Sequence, residues 1–388
     1  MVPVLSDDAI ATSLAIRDLT DPSQGPHAIQ LVIDAIEQGL RERWRVPVIR
    51  ERGDPVVPIR DNYDRLRIPP GAVTRDARYT RYVREDMVLR THTSAIVPPA
   101  LDRLAVDPLP DLVLSCPGIC YRRDSIDRHH VGEPHQLDVW RIRTDGRPLE
   151  PPDLEELIDA VVAAALGPQR WRIVKTGHPY TLGGVQVDVL DGGSWLEIGE
   201  CGLAHPDVLR GSGLPVPPTA GLAMGLGLDR LLMVRKGIDD IRLLRAADPR
   251  IAGQMLDLEP YEPVSSMPPV RRDLSIAVDA DTTGELLGDR ARAALANEAS
   301  SVEQLEVVSE TPYDELPAAA RERLGIRSGQ KNMLVRVVLR DLERTRTDED
   351  ANRLRDRIYA AIHEGTVWMW ALDERLRGMQ PIDRRDSS

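Results

Sequence analysis

At 388 residues, 42% of them hydrophobic and 29% charged, the chain can bury a real core and has the length of two domains. A formal net charge of −12 without a basic tail excludes a globally basic nucleic-acid binder, so any such contact needs a local patch. Three cysteines exclude a disulfide scaffold, and no apolar run approaches the roughly 18 residues of a membrane span.

The opening MVPVLSDDAI carries two aspartates and no basic cluster, so no secretory or mitochondrial presequence is visible and a soluble cytoplasmic protein is expected. In chain order, Ile29, Val32, Ile33, Ile36 and Leu40 repeat every 3.6 residues after Gly25-Pro26 and predict the first helix. Residues 45–80 read as short strands and loops. Segments 86–91, 112–116, 136–143, 171–175, 185–190 and 195–201 read as strands, interrupted by a helix over about 153–166. Residues 219–236 begin glycine-rich and continue as helix. This pattern predicts an α+β domain, an antiparallel sheet flanked by helices, over residues 1–255.

A proline-rich stretch follows and predicts a linker over 256–267. Over 268–370 the order is strand (Leu274–Val278), helix (Gly284–Ala296), strand (302–308), loop, strand (Met333–Leu339), helix (348–364) and strand (Val367–Trp370). That is the βαββαβ of a ferredoxin-like domain, with residues 371–388 as a tail. Thr347 can cap the last helix, Leu354, Ile358 and Ile362 form its apolar stripe, and Gly365 supplies the stop.

Three stretches carry chemistry. In CYRRDSIDRHHVGEPHQLDVW, residues 120–140, a strand would place Arg122 and Arg123 on opposite faces, while Gln136 and Asp138 share a face of the returning strand. An arginine opposite an acid and an amide suits a site with an anion at one end and an ammonium at the other; an arginine-rich surface hairpin has the same composition. In GSWLEIGECGLAHPDVL, residues 193–209, Glu197 sits in an apolar strand, where a carboxylate needs an arginine, a metal or a bound cation. In AGLAMGLGLDRLL, residues 220–232, glycines allow a ligand close to the backbone and Arg230 projects nearby. Cys116 and Cys120 have no second pair and read as buried thiols rather than zinc ligands. Trp368 and Trp370 read as core or edge packing.

Together these stretches resemble the catalytic core of class II aminoacyl-tRNA synthetases, in particular the phenylalanyl enzyme's alpha chain. Residues 120–140 look like motif 2, usually close to YRRDxxDxxHxxxFHQxEG. LRTHTS (89–94) resembles the amino-acid-site strand, WLEIGECG resembles WLEILGCG, and residues 225–244 resemble motif 3 and its continuation. Residues 268–370 resemble the ferredoxin-fold anticodon-binding domain of the single-chain, organellar type.

The resemblance implies that Arg122 holds the ATP α-phosphate and that Arg230 binds the γ-phosphate end and covers adenine. It also implies that His130 sits by the triphosphate and that Glu197 helps hold Mg²⁺. His92, Ser94, Gln136 and Asp138 would surround the amino acid's ammonium and carboxylate. The product it implies is phenylalanyl-tRNA, with amino acid, ATP and tRNA as partners. Seven arginines between Arg336 and Arg357 are candidates for tRNA phosphates, or for a salt-bridged solvated face. The rivals are an adenylating ligase with another acceptor, and a catalytically silent paralogue that binds amino acid or RNA.

Departures from the family are concentrated at its aromatic positions. Where the family has FAFG, whose rings line the amino-acid pocket, this chain has Leu222, Ala223, Met224 and Gly225. Where the family has an adenine-stacking phenylalanine, it has Pro134. Phenylalanine is absent from the whole chain, although average usage predicts about a dozen or more. Either the chain has lost phenylalanine everywhere while keeping its substrate, or the pocket selects another amino acid.

Overall fold

The computed structural model describes residues 3–123, 125–264, 267–341 and 344–368. The chain forms two units, one holding the residues up to Arg122 with Glu133–Glu262, the other holding Arg123–Gly132 with the chain beyond Glu262.

In the first unit the predicted 3.6-residue stripe forms α1 (Ala28–Trp44), which buries Ile29, Val32, Ile33, Ile36 and Leu40. Further helices are α2 (Val97–Val106), α3 (Pro151–Leu166) and α4 (Leu228–Lys236). A seven-stranded sheet is built from β1 (Val48–Arg50), β2 (Asp111–Ile119), β3 (His135–Arg143), β4 (Trp171–Lys175), β5 (Thr181–Asp191), β6 (Ser194–Ala204) and β7 (Ala220–Gly227), in the order β1-β2-β3-β7-β6-β5-β4. All neighbours are antiparallel except β1 and β2. The α+β expectation holds, with one parallel pair at the edge. β2 and β3 are buried almost end to end, which is why they read as apolar runs rather than as alternating strands.

The first unit runs on to Glu262, past residue 255, and one contact there is made by a buried lysine. Lys236, at the end of α4, is 1% exposed, and its Nζ donates to Asp257 Oδ1 at 2.8 Å and to the Asp257 carbonyl at 3.0 Å. A buried ammonium needs such partners, so residues just past 255 fold back onto the first unit.

The second unit contains β8 (Val270–Asp279), α5 (Gly284–Leu295), β9 (Val302–Pro312), β10 (Gln330–Leu339) and α6 (Asp348–Ile362). Its sheet has the order β8-β10-β9, the arrangement of a split βαβ, with the first strand beside the third. Leu274, Ile276 and Val278 alternate toward one face and meet Leu287, Ala291, Leu354, Ile358 and Ile362 of the helices. Thr347 caps α6, accepting from the Asp350 N–H at 3.1 Å. Val367 and Trp368 are not in a strand, and the remainder of the expected terminal strand, with Trp370, lies outside the described residues. Trp368 packs against the core, edge-on to Tyr359. A short helix, Ala318–Leu324, stands where a loop is expected. Residues 123–132 belong to this unit because Ile126 joins its core and its carbonyl accepts the Leu305 N–H at 2.8 Å.

Candidate active site

The strand register decides which side chains share a face. Asp138 on β3 stands opposite Gly225 on β7, which stands opposite Glu200 on β6. Gln136 is paired with Gly227 and Trp140 with Ala223, so Gln136, Asp138, Trp140, Ala223, Gly225 and Glu200 all lie on one face. A side chain at Gly225 would meet only Asp138 Oδ2, at 3.9 Å, so the middle of this row is a bare backbone floor between two carboxylates.

Leu222 and Met224 pair with Arg141 and Val139, one residue out of phase, and therefore lie on the opposite face, 0% and 1% exposed. This corrects the expectation that both line the amino-acid pocket. A period of two sends the neighbours of Ala223 and Gly225 to the other side of the sheet, so of the four only Ala223 and Gly225 share the face of Gln136 and Asp138.

Asp138 is 2% exposed and accepts from Thr93 Oγ1 at 2.7 Å and from Trp140 Nε1 at 3.2 Å, with Ser94 as a third donor. Burial nevertheless raises its pKa above the ordinary carboxylate value, with these donors opposing it. The segment carrying Thr93 and Ser94 is fixed from behind: Asn62 donates to Thr91 Oγ1 at 2.9 Å and accepts the Thr91 N–H at 3.1 Å. His92 sits edge-on to Tyr63, both ring nitrogens are buried without a hydrogen-bond partner, and burial lowers its pKa to about 3. It is a neutral ring.

Arg122 donates through Nε to the Thr91 carbonyl at 2.6 Å, and its charge is felt by His92, Tyr180 and Glu200. β2 ends at Ile119, so Arg122 and Arg123 follow the strand rather than alternate within it. Arg123 pairs instead with Asp289 in the second unit. His130 belongs to that unit as well and is held by Asp127, its Nδ1 2.7 Å from Oδ2. Pro134 accepts the Cys120 N–H through its carbonyl at 2.8 Å, which ties the two arms of the hairpin.

A β-bulge shifts the register of β6 between Glu197 and Gly199, which brings Glu197 and Glu200 close enough to repel. Arg230 donates to the Glu197 carbonyl at 3.2 Å and lies 3.8 Å from its carboxylate. Glu197 keeps 43% of its side chain exposed, and among the described residues no group of three metal-ligating side chains converges. Few protein oxygens and an open carboxylate fit Mg²⁺, which takes most of its shell from water and phosphate.

Motifs 2 and 3 are joined by a buried pair, one residue from each. His135, 0% exposed, donates through Nδ1 to Asp229 Oδ1 at 2.9 Å and accepts the Leu19 N–H at Nε2, while its own N–H reaches Asp229 Oδ2 at 2.5 Å. This locks Gln136 on β3 to the start of α4 and so to Arg230. Burial opposes the charge on Asp229, but His135 outweighs it and holds the carboxyl below its usual value.

Residues 16–255 match the family model described as tRNA synthetases class II core domain (F). The chain belongs to the class II tRNA synthetase core family. It is 37% identical over 193 residues to the phenylalanine–tRNA ligase alpha subunit of Prochlorococcus marinus (strain MIT 9313), covering 50% of this chain and 56% of that one. The corresponding subunit of Streptococcus equi subsp. zooepidemicus is 33% identical over 206 residues, covering 50% and 58%. The chain thus spans little more than half the length of these curated relatives. Among solved structures, PylSc of Desulfitobacterium hafniense, a pyrrolysyl tRNA synthetase, matches with a TM-score of 0.43 and 17% identity, over 61% of this chain and 77% of that one. No helix of the described residues is long and apolar enough to cross a membrane.

For a class II synthetase core, the residues missed from sequence are those off the motifs. Tyr180 stacks on Trp140 with centroids 6.1 Å apart and on His178 at 5.3 Å. His178 pairs with Glu200. The Ser94 hydroxyl bonds both Asp138 and the Tyr180 phenol. The one available signal was Glu200 itself, which stands where WLEILGCG has glycine. The three cysteines are buried and free, and burial pushes the Cys120 and Cys201 thiols up to about 12, so they are inert.

Proposed function

We propose that the chain activates an amino acid with ATP as the aminoacyl adenylate and transfers it to tRNA, with phenylalanine, named in its relatives, as the reference substrate. The observation that carries this reading is the single face on which Gln136, Asp138 and the glycine floor lie, with Arg122 and Arg230 beside it. Asp138, Gln136 and Ser94 would take the ammonium, and His92 would offer its ring nitrogens. Arg122 would hold the α-phosphate and offset the charge that builds as the carboxylate displaces pyrophosphate. Arg230 would hold the phosphate tail. Glu197 would hold Mg²⁺, which would supply positive charge against the triphosphate. No side chain need act as nucleophile, since orientation and charge stabilisation can supply the rate.

The test is amino-acid-dependent pyrophosphate exchange. Alanine at Arg122 or at Arg230 should lower it by at least ~100-fold, the scale for losing transition-state charge stabilisation. Near-normal exchange in both variants would refute the assignment.

A second reading, an adenylating ligase with a different acceptor, is favoured by one observation. Arg336, Arg340, Arg344, Arg346, Arg353, Arg355 and Arg357 each pair with an acid of the second unit. Exchange without transfer to total tRNA would select it.

A further inference from the structure

The row Asp138–Gly225–Glu200 spans three adjacent strands, with carboxylates at both ends and no side chain between them. Strands lie about 4.8 Å apart, so the two ends are separated by roughly 10 Å of backbone, about the length of one aromatic amino acid. Asp138 holds the end where the ammonium binds. Glu200 is half-buried at the other end, with one oxygen against His178, and a purely hydrocarbon ring would leave the other oxygen facing apolar surface. The flank is a stack of three rings, Trp140, Tyr180 and His178, and the last of these pairs with Glu200. A planar side chain fits that wall, and one ending in a donor satisfies Glu200 as well.

We propose that Glu200, with His178, makes this site select an aromatic amino acid bearing a ring hydroxyl or ring amine over phenylalanine. The inference rests on the adenylation reading for where the ammonium lies. It makes Glu200 a specificity-determining residue rather than a second Mg²⁺ ligand. A site built to bond a polar group discriminates strongly against the analogue that lacks it, because its own polar atoms are then left unpaired.

The experiment uses the full chain and compares phenylalanine, tyrosine, meta-tyrosine, 3,4-dihydroxyphenylalanine and para-aminophenylalanine. Two readouts are taken: kcat/KM in pyrophosphate exchange, and calorimetric binding without ATP. At least one donor-bearing amino acid should exceed phenylalanine by tenfold or more in both. The Glu200→Gly variant should erase that ratio, and Glu200→Gln, which keeps the shape, should reduce it. If phenylalanine leads in the native chain, or if the ratio survives both substitutions, the proposal is overturned. Donor-selective binding without exchange would uphold the pocket and sink the adenylation reading. Absence of both binding and exchange would sink both.

Discussion

Both nitrogens of His27 are committed. Nδ1 accepts the Ile29 N–H at 3.1 Å, capping α1, and Nε2 lies 3.0 Å from the Leu244 carbonyl, to which it donates. Only the neutral ring can accept and donate at once, and burial lowers its pKa to about 4 from 6.5. The folded value lies below the unfolded one, so between these pH values the unfolded state holds more protons. Stability is therefore complete above pH 6.5 and is lost as pH falls toward 4, by about 3 kcal/mol from this residue. Urea denaturation of native chain and His27→Gln at pH 7 and pH 4.5 should show a smaller acid loss in the variant; equal losses would refute the account. At this scale the motif residues were legible, since Arg122, Gln136, Asp138 and Glu197 carry recognisable spacing. Tyr180 and His178 were not, because a strand-edge segment with no motif gives no sign of what it stacks upon. The Leu222 and Met224 expectation failed on parity, since it took four consecutive residues as one surface, and a strand cannot present them that way.

At the scale of elements, α1 and α3 approach through a glycine. A Cβ on Gly39 would lie 2.9 Å from Cβ of Ala164, so the two helices pack closer there than larger residues permit. Gly39→Leu should cost about 1–3 kcal/mol by overpacking, read as a fall in denaturation midpoint at unchanged slope. Unchanged stability would mean that the helices slide apart at no cost. Elements with a strong period were read within a few residues, as with α1, α3, α5 and α6. β2 is longer than expected because a strand buried almost end to end lacks polar alternation to mark its ends. Ala318–Leu324 was hidden because seven residues are too few to establish a 3.6-residue period.

On the whole-molecule scale, the paired arginines of the second unit set an expectation for nucleic acid. An arginine already balanced by an acid releases few counterions when it meets a phosphate, because binding must first break the pair. The logarithmic salt dependence of tRNA affinity should therefore be shallow, on the order of two to three neutralised phosphates rather than seven. A filter-binding or anisotropy series from 50 to 300 mM salt measures it, and a slope near −6 would show that the arginines leave their acids. The large, mostly antiparallel sheet flanked by helices was legible from composition and element order. The loop that changes sides was not, because nothing in DSIDRHH distinguishes a motif 2 loop that stays with its own sheet from one that does not.

That loop also bears on modularity. The second unit draws one of its core side chains, Ile126, and a ladder hydrogen bond from residues encoded in the middle of the first. The polypeptide therefore crosses from one unit to the other three times, not once. A fragment cut after Glu262 leaves the remaining piece with a hole where Ile126 belongs. Grafting the second unit onto another protein would require the ten-residue excursion Arg123–Gly132 to be supplied separately. In exchange experiments and in gene fusions alike, the unit of inheritance is the whole chain.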